Sequence, residues 1–255
     1  MTPPVDSSEH ALESTEQSPP GTTLKVATGS SKSVAREYLE AVIIALALAL
    51  VIRTFFIQAY LIPSGSMEPT LLIGDHILVS KMAYGLRTPD SIFGLEVRGV
   101  PMGRYLVRFG DIHRGDVIVF VHPVERDKDL IKRVIGLPGD QVQIKDGRVW
   151  LNGSPMADPH AHLEVPDSDR LQSIPRDNYG FTDGSGAITG PITVPPGRLF
   201  VMGDNRDHSD DSRYWGFANQ DDVEGRALAV YWSWDSDDGG LLPIRWSRFG
   251  KSLRN

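Results

Sequence analysis

An unbroken apolar run from Ala41 to Ile52 constrains this chain more than any other feature, because it has to be shielded from water by a protein core or by lipid. Its length alone is too short to cross a hydrocarbon layer, which takes roughly 20 residues, and would suit a buried helix. Widening the window to residues 38–59 gives about 33 Å of helix at 1.5 Å per residue, interrupted chiefly by Glu40, Arg53, Thr54 and Gln58. Glu40 and Arg53 lie near its ends, where charges reach the headgroups. A cleaved secretory signal fits less well, since the charged leader is unusually long and no small-x-small site follows. The window predicts one uncleaved transmembrane helix over 38–59. Lys25, Lys32 and Arg36 precede it, whereas no Lys or Arg occurs from Tyr60 through Ser80; this places the amino terminus in the cytoplasm and the body outside. Residues 1–37, rich in Ser, Thr, Pro and Glu, read as a disordered cytoplasmic tail.

Residues 60–255 are long enough for one extracytoplasmic domain with a real core. Short runs rich in Val, Ile and aromatics predict strands at Ile77 to Ser80, Asp116 to Val121, Leu130 to Ile135, Gln141 to Lys145, Arg148 to Leu151, Arg198 to Met202 and Ala227 to Trp232. Asp146-Gly147 between two of them is a hairpin signal. Their spacing favours a mostly β sandwich or barrel over a parallel α/β sheet. Two stretches, near 84–110 and 155–192, lack that pattern and read as insertions. A net charge of −7 offers nothing to a phosphate backbone, so no nucleic-acid partner is expected. With no cysteine, any catalysis must use oxygen, nitrogen or carboxylate groups.

Three segments carry groups that could do chemistry. Pro63 ends the expected helix and starts an extended segment, in which Ser64 and Ser66 would point the same way with Gly65 between them. One hydroxyl could attack and the other donate, although Pro, Gly and Ser are equally the residues of an ordinary polar turn. A serine needs a base, and the seven histidines show no recognisable triad context. Lys132 interrupts an apolar strand on the same side as Leu130 and Val134, where burial would lower its pKa toward the range a general base needs. Arg133 would then face solvent. The reverse arrangement, Arg133 inward and Lys132 on the surface of an edge strand, stays open. Residues 203–213 are dense in Asp but do not follow the spacing of a calcium loop; their Ser, Asn, Asp and Arg side chains could form a scaffold that orients a neighbouring base.

Together these segments give Ile-Pro-Ser-Gly-Ser-Met-x-Pro-Thr-Leu at 62–71, Gly-Asp-x-Ile-x-Val at 74–79 and Arg-Gly-Asp-Val-Ile-Val-Phe at 114–120. Ile-Lys-Arg-Val-Ile-Gly-Leu-Pro-Gly-Asp at 131–140 and Gly-Asp-Asn-Arg-Asp-x-Ser-x-Asp-Ser-Arg-Tyr-Trp-Gly at 203–216 follow. In this order the blocks resemble the bacterial type I signal peptidases, or leader peptidases. The resemblance implies a coiled β-sheet body of the kind shared with self-cleaving SOS repressors, behind one amino-terminal membrane helix. It makes Ser66 the nucleophile and Lys132 the neutral base. The Ser64 hydroxyl and the Ser66 N–H would form the oxyanion hole, and Ser209 would orient the lysine amine. Asp204, Asp211 and Arg213 would brace the site. Ile62, Met67, Leu71, Leu130 and Ile131 would line shallow pockets for small residues, usually Ala, at the first and third positions before the cut.

Substrates would be exported precursors bearing signal peptides. The bilayer would be a partner and the secretion channel a neighbour, with no cofactor and no metal. The location implied is the inner membrane, single-pass, with the catalytic domain on the periplasmic side. The resemblance covers neither insertion, and catalysis is expected not to depend on them. Three rival functions are a peptidase dedicated to one client, a β domain that only binds exported chains, and a membrane-bound repressor, for which the short tail lacks a DNA-binding domain. Ser66, seven residues past Ala59, is expected within about 25 Å of the bilayer surface. Trp232, Trp234 and Trp246 would serve either as interfacial contacts or as core.

Overall fold

The computed structural model describes residues 34–88, 103–145, 148–163, 190–235 and 243–254. The tail at 1–33, the Asp146-Gly147 turn and the centres of both expected insertions lie outside the described residues. Two compact units divide at Ile43/Ile44; within the first, the described residues belong to the first helix.

That helix, α1, runs Val34–Phe55. It begins and ends four residues before the expected window, so residues 34–37 are helical and not tail. The cause of the early end is β1 (Ile57–Leu61), which pairs antiparallel with β2 (Asp75–Ser80), from Ile57 opposite Ser80 to Leu61 opposite His76. Hydropathy does not distinguish the last turn of a span from an apolar edge strand. The helix therefore ends eight residues before Pro63, and the chain from Phe55 to Ser66 reaches roughly 35–40 Å at full extension instead of the shorter tether expected. Lys81 caps the helix end, its ammonium donating to Thr54 O at 3.3 Å. No residue of α1 is buried, and its most apolar stretch has a mean hydropathy of 2.1, which is consistent with a membrane anchor.

Beyond β2 come β3 (Gly85–Arg87), β4 (Tyr105–Arg108), β5 (Val117–Val121), β6 (Asp129–Gly136), β7 (Gln141–Lys145), β8 (Arg148–Leu151) and β9 (Ser154–Pro155). They are followed by β10 (Ile192–Thr193), β11 (Arg198–Met202), the one-turn helix α2 (Ser212–Trp215), β12 (Ala218–Asn219) and β13 (Val223–Ser233). Seven strands form a curled antiparallel sheet in the order β1-β2-β13-β5-β6-β11-β12. A smaller sheet, β10-β7-β8-β9, and the ribbon β3-β4 complete the body. The architecture is mostly β with no parallel strand pairing in these sheets, as the spacing predicted.

β5 shows how the large sheet is covered. Val117 and Val119 enter one apolar cluster with Ile62, Met67, Leu71, Ile77, Val79 and Val230. Ile118 and Phe120, on the other face, join Tyr84, Val134, Leu199, Val201 and Trp215. Both faces of the central strands are thus dry, unlike an antiparallel sheet with one wet side. This overturns the expected solvent exposure of Arg133. Arg133 is 3% exposed, as is Lys132, because β6 lies between β5 and β11 with material on either side. Trp246 stacks on Phe249 and Trp232 meets both rings edge-on, with Trp246 and Trp234 exposed and Trp232 half-buried.

Candidate active site

Ser66 belongs to the loop that joins β1 to β2. Two hydrogen bonds close its neck, Ile62 N to Asp75 O at 2.8 Å and Gly74 N to Ile62 O at 3.0 Å. Gly74 has φ +87°, and a Cβ there would come within 2.0 Å of Trp234 O, so only glycine fits. The loop is not extended through Ser66, as the alternation reading required. Ser64 is extended at φ −136°, ψ 153°, but Gly65–Met67 form a single 3-10 turn. Ser64 is consequently exposed while Ser66 is 8% exposed, and a common direction for the two side chains cannot be read from i, i+2 spacing.

β6 delivers the amine. Lys132 is paired in register with Ile118 of β5, and its Nζ lies 2.7 Å from Ser66 Oγ. Burial holds the lysine pKa below its usual value. Asp211, Asp210 and Asp204 act in the opposite direction, and Arg213 reinforces the lowering. Where a buried ammonium would ordinarily demand a carboxylate, the contact here is a hydroxyl.

The loop after β11 builds the far wall. Asp204 is fully buried and takes both arms of Arg133, Nε to Oδ1 at 2.7 Å and Nη2 to Oδ2 at 2.6 Å, while Arg133 Nη1 donates to Gly115 O at 2.8 Å. Asp211 caps α2 and accepts from Gly203 N at 2.9 Å and Arg213 Nε at 2.8 Å. Burial alone would raise the Asp211 pKa; its ion pair with Arg213 and these hydrogen bonds outweigh that and hold it below the usual carboxylate value. Ser209 Oγ is buried and completes no hydrogen bond of good geometry among the described residues, although it lies close enough to favour the charged form of Asp211. Gly203 is needed at its position, since a Cβ would lie 2.3 Å from both Ser209 Oγ and Ser66 O.

The remaining expected residues divide. Ile62, Met67 and Leu71 are 2%, 0% and 0% exposed in the first core cluster, beneath the loop and not at an open surface. Leu130 and Ile131 are half-buried on opposite faces, against the second and first clusters respectively.

Several site neighbours were not anticipated. Asn205 is hydrogen-bonded to both sides of the Ser66 peptide, with its backbone N donating to Ser66 O at 3.1 Å and its side-chain Nδ2 to Gly65 O at 3.2 Å. The segment around His162 pairs with this same loop, His162 N donating to Asp204 O at 2.7 Å and Arg206 N to His162 O at 2.9 Å, and Asp158 pairs with Arg206. The start of the second expected insertion is therefore in contact with the site loop. On the other side, Arg248 pairs with buried Asp75 and donates to Thr70 O at 3.0 Å, and Lys251 Nζ reaches Thr70 O at 3.0 Å. Asn205 stood in a recognised block; nothing local marked the others.

Comparison with known proteins identifies the family. The family described as signal peptidase, peptidase S26, matches residues 35–232. A signal peptidase I of Pseudomonas aeruginosa is 36% identical over 236 residues, covering 84% of this chain and 78% of that protein. One from Pseudomonas fluorescens is 35% identical over 234 residues, with the same coverages. A crystal structure of a signal peptidase I from Enterococcus faecalis, 31% identical, covers 46% of this chain and 96% of its own at a TM-score of 0.32. Since the family match takes in well over half of the residues, including those that carry the buried hydroxyl and amine, this chain belongs to the signal peptidases of family S26 and is a serine peptidase.

Proposed function

We propose that this chain is a membrane-anchored endopeptidase that removes amino-terminal signal peptides from exported precursors, cutting after small residues of the Ala-x-Ala kind. The observation that carries this reading is the 2.7 Å approach of Lys132 Nζ to Ser66 Oγ, with both groups withdrawn from water. A neutral amine at that distance takes the hydroxyl proton as Oγ attacks the scissile carbonyl. The tetrahedral oxygen is met by the Ser66 N–H, which sits in the first turn of a 3-10 helix where N–H groups have no intrahelical acceptor. The exposed Ser64 hydroxyl is the second donor. Lys132 then returns the proton to the leaving amine, and water hydrolyses the acyl-enzyme by the same route in reverse. Asp204, Asp211 and Arg213 hold the wall, Ser209 orients the amine, and Leu130 and Ile131 offer the apolar surface to the substrate, shaped from behind by Ile62, Met67 and Leu71.

α1 serves as the anchor, with the amino terminus in the cytoplasm and the catalytic body on the periplasmic side of the inner membrane, near the secretion channel. No cofactor enters this chemistry. Cleavage of an Ala-x-Ala precursor by the detergent-solubilised protein tests it. Ser66→Ala and Lys132→Ala are each expected to lower kcat by roughly 10⁴-fold or more. Activity should climb as pH rises through the folded Lys132 pKa, on a limb below the ordinary lysine value of 10.5. Undiminished cleavage by either variant rejects the reading.

A further inference from the structure

Asn205 is 3% exposed, and its side-chain oxygen Oδ1 has no hydrogen-bond partner among the described residues. Leaving a buried amide oxygen unsatisfied costs about 1–3 kcal/mol, so an Asn kept only to brace the loop would be a poor choice. Turning the amide over would bring Oδ1 against the Gly65 carbonyl oxygen, acceptor against acceptor, so the orientation is fixed by chemistry. Its other end is engaged: Nδ2 donates to Gly65 O at 3.2 Å while the backbone N–H donates to Ser66 O at 3.1 Å.

Gly65 C=O and Ser66 N–H are the two ends of one peptide group. A donor on the carbonyl draws electron density through the amide and makes its N–H more acidic, the effect by which chains of hydrogen bonds reinforce one another. Glu68 N donates to the same carbonyl at 3.1 Å, and the Asn205 contact is the second donor that holds that peptide plane. From this we infer that Asn205 is a positioning residue that aims and strengthens the Ser66 N–H as an oxyanion donor. The inference rests on the proposed role of that N–H in catalysis. It separates the two halves of the loop after β11. Asp211 and Arg213 act on the amine through space, whereas Asn205 attends to the oxyanion.

Steady-state cleavage by Asn205→Ala across pH tests this, with isosteric Asn205→Asp, which cannot donate to Gly65 O, as the second variant. Both should lower kcat by about tenfold, short of the roughly 10²–10³ lost with a direct oxyanion donor. KM and the acidic limb of the pH profile should stay in place for Asn205→Ala. The Ala variant should also melt close to the parent, since it loses one hydrogen bond together with one unsatisfied oxygen. Parental kcat in both variants overturns the inference. A fall in kcat with the limb of Asn205→Ala displaced to higher pH also overturns it, because that would mean the loop had let water reach Lys132. Ser66→Ala run alongside keeps the two levels apart: activity surviving there sinks the proposed function, while a dead Ser66→Ala with a fully active Asn205→Ala sinks only the role given to Asn205.

Discussion

The two sides of β6 solve one problem in opposite ways. Lys132 and Arg133 are consecutive, equally buried at 3% exposure, and nominally cationic. Arg133 meets the carboxylate of Asp204 through two parallel hydrogen bonds, the arrangement a planar guanidinium favours. Lys132 meets a hydroxyl, and the carboxylates nearby act on it only through space. Burial with a matched counter-charge gives a strut; burial without one gives a group that gives up its proton. In the proposed mechanism, what suits Lys132 to act as a base is less the lysine itself than the lack of a counter-charge in contact with it.

Exchanging the two solutions is the sharpest way to break this contrast. Lys132→Arg keeps charge and approximate length but cannot be deprotonated in a protein, so kcat should fall by roughly 10⁴-fold or more, as for Lys132→Ala; measurable turnover would mean that neutrality of this side chain is not required. The next largest effect is expected on the other side of the strand. Arg133→Met strands a fully buried Asp204, and breaking such a pair costs about 3–5 kcal/mol, read as a lowered denaturation midpoint. Should the variant melt like its parent, Arg133 is no strut. The smallest effect has the opposite sign. Lys132→Met removes a buried ionisable group and should stabilise the inactive protein by about 0.5–2 kcal/mol, the scale of a single stabilising substitution.

That gain has a definite pH dependence. The folded pKa of Lys132 lies below its unfolded value, so folding expels a proton. The penalty is complete below the folded pKa and fades as pH rises toward the unfolded value of 10.5. The stabilisation from Lys132→Met should shrink over the same interval. A gain independent of pH would show that packing and not ionisation had been relieved.

Alternation and β-branched content located β7, β8 and β11 residue for residue, because each has a regular pattern bounded by turns. The same rule failed at Arg133, since period-two logic assumes one wet face and β6 has none. It failed again between Ser64 and Ser66, where a 3-10 turn replaces extended backbone. Helix and strand compete for Ile57 to Leu61 on equal hydropathy, and only pairing with β2 decides. Of the two side chains that meet at the proposed site, Lys132 stood out because it interrupts an apolar strand, whereas Ser66 was singled out only by the family resemblance, its local pattern being that of an ordinary polar turn. The site's supports were not legible: Asp158 to Arg206 and Asp75 to Arg248 are pairings across long stretches of sequence, and no window of residues contains both partners.

Arg248 holds the loop of Ser66 by a hydrogen bond to Thr70 O that spans 178 positions of sequence. A growing polypeptide emerges in order, so the serine is made long before the residue that steadies its loop. Until translation has delivered Arg248, these restraints on the loop do not exist. The enzyme's timing is thereby written into its topology, and a half-synthesised copy lacks the fastening that its finished form relies on.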